Sequence, residues 1–257
     1  MRDVTSYTFG DTELAAERLR ILDDVFAPTT DALLAELEVQ PLRIADLGCG
    51  PGATTCRLVE RFPNATVTGI DASAAFVASA RTAVPTAHFV AADVTEPLPG
   101  APYDLIYARF LLAHLPDVGH ALGLWRDALA PSGLLVLEET GDINSADPDF
   151  ARYEELTQAR VATTGAAVFA GPLMTPSLPS DLAVIIDRVI DLDLTAGQAA
   201  AMFWRNLETW GPAAVADGQL TDTERADLLA RLEDRESDTT RGLFLWTHHQ
   251  VVVRRRG

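Results

Sequence analysis

The stretch Leu42-Arg43-Ile44-Ala45-Asp46-Leu47-Gly48-Cys49-Gly50-Pro51-Gly52 joins a short apolar run to three glycines within five positions. Residues 42–47 predict a buried strand, and the glycines predict a tight turn where a ligand can approach the backbone. A helical pattern follows to about Arg61. Outward from this turn the chain alternates short β-rich runs with helical stretches. Residues 66–70 read as a second strand and 73–82 as a helix, then 88–92 as a third strand closed by a loop bearing Pro97, Pro99 and Pro102. Residues 105–108 read as a fourth strand, a helix containing Trp125 follows, and 134–138 read as a fifth. This alternation is the pattern of a parallel sheet covered on both faces, and its short links make one continuous unit.

The flanks read differently. Before the sheet lies a helix with Asp11 as expected N-cap and Ala15, Leu19, Leu22 and Phe26 on one stripe. After it come a helix over 148–165, a sixth strand over 184–194, two helices, and a final strand over 243–253. The second of those two helices opens with Thr221-x-x-Glu224, a capping box. Residues 1–39 are expected to form a helical lid, 40–140 the ligand-binding core and 195–240 an inserted helical cap, within one domain spanning 1–257.

The 257 residues carry 37 acidic and 20 basic side chains, a formal net charge of −17, and every basic residue is arginine. Nucleic acids and anionic membranes are recognised through basic residues, so neither is expected as a partner. The absence of lysine excludes Schiff-base and P-loop lysine chemistry. No run approaches the roughly 18 apolar residues of a membrane span, residues 1–10 hold no apolar signal core, and Cys49 and Cys56 suit a reducing compartment, so a cytoplasmic location is expected.

In an open parallel sheet the ligand sits beyond the carboxyl ends of the strands. Three acids fall there: Asp46 beside the glycines, Asp71 after the second strand and Asp93 after the third. Asp71 follows Gly50 at the spacing of a carboxylate that accepts from a ribose diol. Asp93 is one acid more than the ribose needs and suits an exocyclic amine. The turn also satisfies a dinucleotide fingerprint, Gly48-x-Gly50-x-x-Ala53, but Asp46 opposes a pyrophosphate. The ligand implied is a nucleoside with a cationic amino-acid tail.

Ile44 to Gly52, then Gly69-Ile70-Asp71, Ala92-Asp93, Tyr103-Asp104-Leu105-Ile106-Tyr107-Ala108-Arg109, His114-Leu115-Pro116-Asp117 and Leu129-Ala130-Pro131-Ser132-Gly133-Leu134-Leu135-Val136 together resemble the class I S-adenosylmethionine-dependent methyltransferases. The resemblance covers about residues 40–140, and departs at Ser132, where the family often has glycine in a turn that should tolerate the change. It implies an α/β, Rossmann-like doubly wound sheet of seven strands with the last antiparallel, plus N-terminal and inserted helices. It further implies that Asp46 and the backbone of Gly48, Cys49, Gly50 and Gly52 hold the methionine part of S-adenosylmethionine. Asp71 would take the ribose, Ala72 would pack on the adenine, and Asp93 with the Val94 amide would bind the adenine edge. Arg109 sits where the family contacts the methionine end through its backbone; its guanidinium either pairs with the cofactor carboxylate or makes an outward salt bridge.

The expected activity is methyl transfer to a small molecule, with the accepting atom open among O, N and C. Alternatives are an enzyme of this fold that keeps the cofactor for another reaction, and a non-catalytic S-adenosylmethionine-binding protein. His114, after the fourth strand, is the candidate general base, or else a neutral histidine packed under the cap. Aromatic residues Tyr7, Phe9, Phe203, Trp204 and Trp210 cluster in the flanks, and Tyr7 is expected on a lid closing over the cofactor. No metal is expected: His248 and His249 point to opposite faces of a strand. Glu138, Glu139 and Asp142 lack the adjacent Asp-Asn pair of catechol-type enzymes. The oligomeric state is open.

Overall fold

Seven strands, β1 (Arg43–Leu47), β2 (Thr66–Asp71), β3 (His88–Ala91), β4 (Tyr103–Arg109), β5 (Leu129–Ser145), β6 (Leu182–Asp193) and β7 (Phe244–Arg255), form one sheet in a computed structural model that describes residues 12–256. Their spatial order is β3-β2-β1-β4-β5-β7-β6. The first five pair in parallel, and β7 runs antiparallel to both β5 and β6. This is the doubly wound, seven-stranded arrangement the sequence implies. The order reverses between β1 and β4, where a crevice opens beyond the strand ends.

The helices are α1 (Glu13–Glu36), α2 (Ala53–Arg61), α3 (Ala74–Ala83), α4 (Val118–Asp127), α5 (Pro148–Ala162), α6 (Gly171–Met174), α7 (Ala196–Ala216) and α8 (Asp222–Asp234). Side chains alternate across the sheet because the strand period is two. From β1, Ile44 enters a core with Leu33 and Leu34 of α1 and Leu58 of α2, whereas Ala45 and Leu47 enter one with Leu122 and Trp125 of α4. Asp11 lies outside the described residues, and the side chain that caps α1 is Thr12, whose Oγ1 accepts from the Ala15 amide at 3.3 Å. Thr221 and Glu224 form the expected capping box of α8, and Thr195 with Gln198 forms a second at the start of α7. Ser132 adopts φ +64°, in the left-handed region that glycine enters freely, so serine there carries a backbone cost instead of being a neutral change.

β5 runs on to Ser145, well past the Glu138 end read from its apolar run, because β7 pairs with it as far as Ser145↔Phe244. This extension carries Ile143, facing Phe244 and Trp246 of β7, above the level of the other strands. On it rests a third core built from Leu22 and Phe26 of α1, Phe150 and Tyr153 of α5, Phe203, Leu207 and Trp210 of α7, and Leu228 and Leu232 of α8. Phe150 is fully buried at its centre, edge-on to Phe203 at 5.9 Å and to Phe244 at 5.6 Å. Truncation of such an aromatic leaves a cavity, so Phe150→Ala is expected to cost about 3–5 kcal/mol in urea unfolding. A loss below about 1 kcal/mol would show that these helices do not share a core with the sheet.

Candidate functional site

The turn after β1 is a left-handed chain of glycines with φ of +64° at Gly48 and +51° at Gly50. At Gly48 the constraint is also one of space, since a Cβ would lie 2.9 Å from Leu111 Cδ1. The Gly48 and Cys49 amides donate to the Ile70 carbonyl at 2.8 and 3.2 Å, which ties the turn to the end of β2. Gly52 caps α2 without a side chain, and Cys49 is buried against β2, where burial pushes its thiol far up and leaves it unreactive.

The three acids occupy three environments. Asp46 is buried, its Oδ2 accepts from Thr55 Oγ1 of α2 at 2.5 Å, and desolvation pushes its pKa up to about 7 against the pull of Thr55 and Arg109. Asp71 is half-buried and clamps two backbone turns: Oδ2 accepts from the Gly50 amide at 2.9 Å and Oδ1 from the Ser73 amide at 2.8 Å. Asp93 is exposed, and its Oδ1 accepts from the Thr95 amide and hydroxyl at 2.8 and 2.7 Å. Ala72 is exposed beside Asp71, while Val94 is buried, its carbonyl accepting from Trp125 Nε1 at 2.9 Å. Asp46 and Asp71 thus meet at the glycine turn, and Asp93 stands two residues beyond the end of the neighbouring β3. Tyr7 lies outside the described residues.

Arg109 ends β4 with its guanidinium turned inward. Nη2 donates to Asp23 Oδ1 of α1 at 2.6 Å and Nη1 to Thr30 Oγ1 at 3.1 Å. The outward salt bridge expected as one alternative is therefore replaced by a buried one. Asp23 also receives Arg57 of α2 at 2.9 Å, and these two cations hold its carboxyl below the usual range although burial opposes them. Leu19 of the same helix packs above the glycine turn, its Cδ1 lying 3.6 Å from where a Cβ of residue 50 would stand.

After Arg109 the chain turns sharply. Phe110 takes φ +53°, a strained value for an aromatic residue, and a 3₁₀ turn, Leu112–His114, follows. Glu139 of β5 holds this turn from below: its Oε1 accepts from the Leu111 and Leu112 amides at 2.7 and 2.6 Å, while Oε2 is buried without a partner. Burial pushes the Glu139 pKa up to about 8, against those amides. His114 is partly buried on the same turn, and desolvation, reinforced by the charge of Arg18, brings its pKa down to about 3. The imidazole is neutral at physiological pH and a weak base.

Thr55, Asp23, Glu138 and Glu139 organise the site, yet only the two glutamates stood out in the sequence, as candidate metal ligands. They point to opposite faces of β5 and serve instead as hydrogen-bond acceptors, and His248 and His249 likewise face apart. Among the described residues no three His, Cys, Asp or Glu side chains are placed to hold a metal ion. None of the described helices is long and apolar enough to cross a membrane. Two open hollows lie away from the glycine turn, one lined by Asn144, Asp193 and Phe244 and another by Arg152, Leu220 and Arg231.

The raised pKa of Glu139 has a definite sign. The unfolded chain releases this proton near pH 4.5 and the folded chain near pH 8, so its contribution to stability is full below 4.5 and lost as pH rises through 8. Glu139→Gln keeps an acceptor and removes the proton. Between pH 5 and pH 9 the parent protein is expected to lose stability relative to this variant by on the order of a few kcal/mol, measured by urea unfolding. Parallel pH profiles of the two proteins would contradict it.

Residues 44–133 match the family described as a methyltransferase domain. The chain is 41% identical over 138 residues to a trans-aconitate 2-methyltransferase of Streptomyces avermitilis, covering 51% of each, and 38% identical over 124 residues to that of Methylobacterium nodulans, covering 48% of each. The chain thus spans about half the length of the curated relatives it matches. In structure it resembles the mycolic acid cyclopropane synthase CmaA1 in complex with S-adenosylhomocysteine (TM-score 0.60, 19% identity, 91% of this chain and 85% of that one). It also resembles the [4+2]-cyclase SpnF (TM-score 0.57, 18% identity, 90% and 82%); both likenesses concern the fold. The motif order, the strand order and the family match agree: residues 44–133 form a methyltransferase domain of the class I S-adenosylmethionine-dependent type.

Proposed function

We propose that this protein is a methyltransferase that uses S-adenosylmethionine to methylate a carboxylate oxygen of a small organic acid. The observation that carries the cofactor part is the glycine turn at the switch point, clamped by Asp71 through the Gly50 amide and underlain by the buried Asp46. These residues fit the cofactor. Each Asp71 oxygen already accepts one amide and retains acceptor capacity for a ribose hydroxyl. Ala72 offers a small exposed platform for a base, with Asp93 and the Val94 backbone at its edge. The turn formed by Gly48, Cys49, Gly50 and Gly52 would receive the methionine part through its backbone. Arg109 contributes there through its backbone, since its guanidinium is held by Asp23 and Thr30. Tyr7 keeps, within this proposal, the lid role expected from the sequence.

When bound, S-adenosylmethionine supplies a methyl group on an already activated sulfonium leaving group. The chain's task is alignment and exclusion of water, a contribution of roughly 7–11 kcal/mol in well-oriented systems. A carboxylate acceptor is anionic at neutral pH and needs no proton removed. That suits His114, which burial keeps neutral and weakly basic, as a hydrogen-bonding group at the acceptor side instead of a general base. The names of the curated relatives, trans-aconitate 2-methyltransferases, support an organic acid as acceptor.

Incubation with methyl-labelled S-adenosylmethionine and trans-aconitate tests the reading. Label in an ester together with S-adenosylhomocysteine is expected, with KM for the acid raised several-fold in His114→Ala. Cofactor binding without S-adenosylhomocysteine formation across a panel of small acids would leave a cofactor-retaining enzyme or a binding protein.

Asp46 adds a pH dependence. Its carboxyl, with a pKa of about 7, must be ionised to attract a cationic ligand, so S-adenosylmethionine should bind progressively more weakly as pH falls from 8 to 6. The trend is expected to flatten in Asp46→Asn, read as Kd by titration calorimetry. An identical slope in both proteins would remove Asp46 from the cofactor site.

A further inference from the structure

One buried side chain governs the turn that leaves β4. Phe110 keeps a φ of +53°, a strained value that persists only where the surroundings over-determine it. Its amide donates to the Glu138 carbonyl at 2.9 Å, and the next two amides, of Leu111 and Leu112, both donate to Glu139 Oε1 at 2.7 and 2.6 Å. The Ala113 amide also acts on that carboxyl. Glu139 is buried, so without its oxygen these amides would be left in the interior with no acceptor, a penalty the turn would escape only by moving.

The residues so fixed touch different parts of the molecule. Leu111 lies on the glycine turn, its Cδ1 and Cδ2 standing 2.9 and 3.3 Å from where a Cβ of residue 48 would be. Leu112 is buried in the core shared with α4, and the His114 amide closes the 3₁₀ turn on the Leu111 carbonyl at 3.0 Å. Phe110 packs edge-on to Phe26 of α1 at 4.7 Å. A shift of the turn about the Glu139 oxygen therefore moves Leu111 and His114 together. Burial pushes the Glu139 pKa up to about 8, so at neutral pH Oε1 serves as a neutral acceptor, a role that glutamine also fills.

We propose that Glu139 is a positioning residue that couples cofactor binding to acceptor binding. By gathering the Leu111 and Leu112 amides it sets Leu111 against the glycine turn and His114 at the acceptor side, so that one buried carboxyl aligns the two substrates. The inference rests on the reading of the protein as a methyltransferase with His114 beside the acceptor. Glu139 itself touches neither substrate and acts through the turn.

Three single variants separate the two arms. Leu111→Ala removes the contact on Gly48, His114→Ala removes the imidazole, and Glu139→Ala removes the acceptor that places both. Kd for S-adenosylhomocysteine would be measured by calorimetry, and KM for trans-aconitate by labelled turnover at saturating S-adenosylmethionine. Leu111→Ala is expected to raise Kd about tenfold with little change in KM, and His114→Ala to raise KM several-fold with little change in Kd. Glu139→Ala is expected to raise both, to add little to KM in the His114→Ala background, and to be largely rescued by Glu139→Gln. A merely structural defect would lower the urea midpoint without that pattern. If Glu139→Ala does not fold, Glu139→Asp, whose carboxyl falls one methylene short of the amides, takes its place with the same expectations. Parent-like Kd and KM in the shortened variant, or additive losses with His114→Ala, would overturn the coupling. Equal losses in Glu139→Gln and Glu139→Ala would also overturn it, because the proton and not the acceptor would then matter. The Kd pattern without any label transfer in the parent protein would support Glu139 as the holder of the cofactor turn and overturn the methyl-transfer reading.

Discussion

The carboxylate of Glu138 is the point on which the assembly turns. It is wholly buried on β5, and it accepts from the Tyr107 hydroxyl of β4, from Gln250 Nε2 of β7 at 2.7 Å and from Thr30 Oγ1 of α1 at 3.0 Å, with His248 Nε2 of β7 2.7 Å away. An ion with no exposure is costly unless its lone pairs are matched. Here burial raises the pKa, and the donors, His248 foremost, overcome it and bring the carboxyl down to about 2. The same carboxylate therefore requires three strands and the first helix to be present together. Through Thr30 the network passes to Arg109, Asp23 and Arg57, so α1 is fastened to the sheet beside the crevice that holds the glycine turn.

That fastening relates the two halves of the proposed site. α1 lays Leu19 over the glycine turn, while Leu22 and Phe26 enter the core shared with α5, α7 and α8. The layer in turn stands on the extension of β5 and β7. A methyl donor on the sheet edge and an acceptor under the helices would thus be held by one rigid connection. The distribution of charge follows the same division. Ion pairs at the surface, such as Arg188–Glu36 and Arg231–Asp149, contribute little to stability. Asp23, Asp46, Glu138 and Glu139 are buried instead, and Asp46 meets the half-buried Asp71 at the glycine turn.

The likeness to a cyclopropane synthase and to a [4+2]-cyclase at below one-fifth identity shows how widely this scaffold is shared. Fold alone does not select a reaction. Under the proposed function, selection would fall to residues beside the glycine turn, from α1 and the turn after β4. The first of these belongs to the flanks, where the sequence carries no motif.

By itself the sequence determined the succession of strands and helices from β1 to the start of β5, the glycine turn and the positions of Asp46, Asp71 and Asp93 at strand ends, because these depend on local period and spacing. A strand's apolar run, a turn that only glycine enters and an acid at a strand end are each readable within a few residues. It also carried the capping box of α8, and its resemblance to a known family implied the antiparallel last strand. Tertiary structure decided the rest. β5 continues through the mostly polar residues 139–145 because β7 pairs with them, and no local signal predicts a partner about 100 residues away. Arg109 turns inward because Asp23, on a helix 86 residues earlier, waits for it. Glu138 and Glu139, adjacent in sequence and alike in type, end with carboxyls pulled down to about 2 and pushed up to about 8. The strand period sends them to opposite faces, and only the packed fold determines which face holds a set of donors and which holds two amides and an apolar wall.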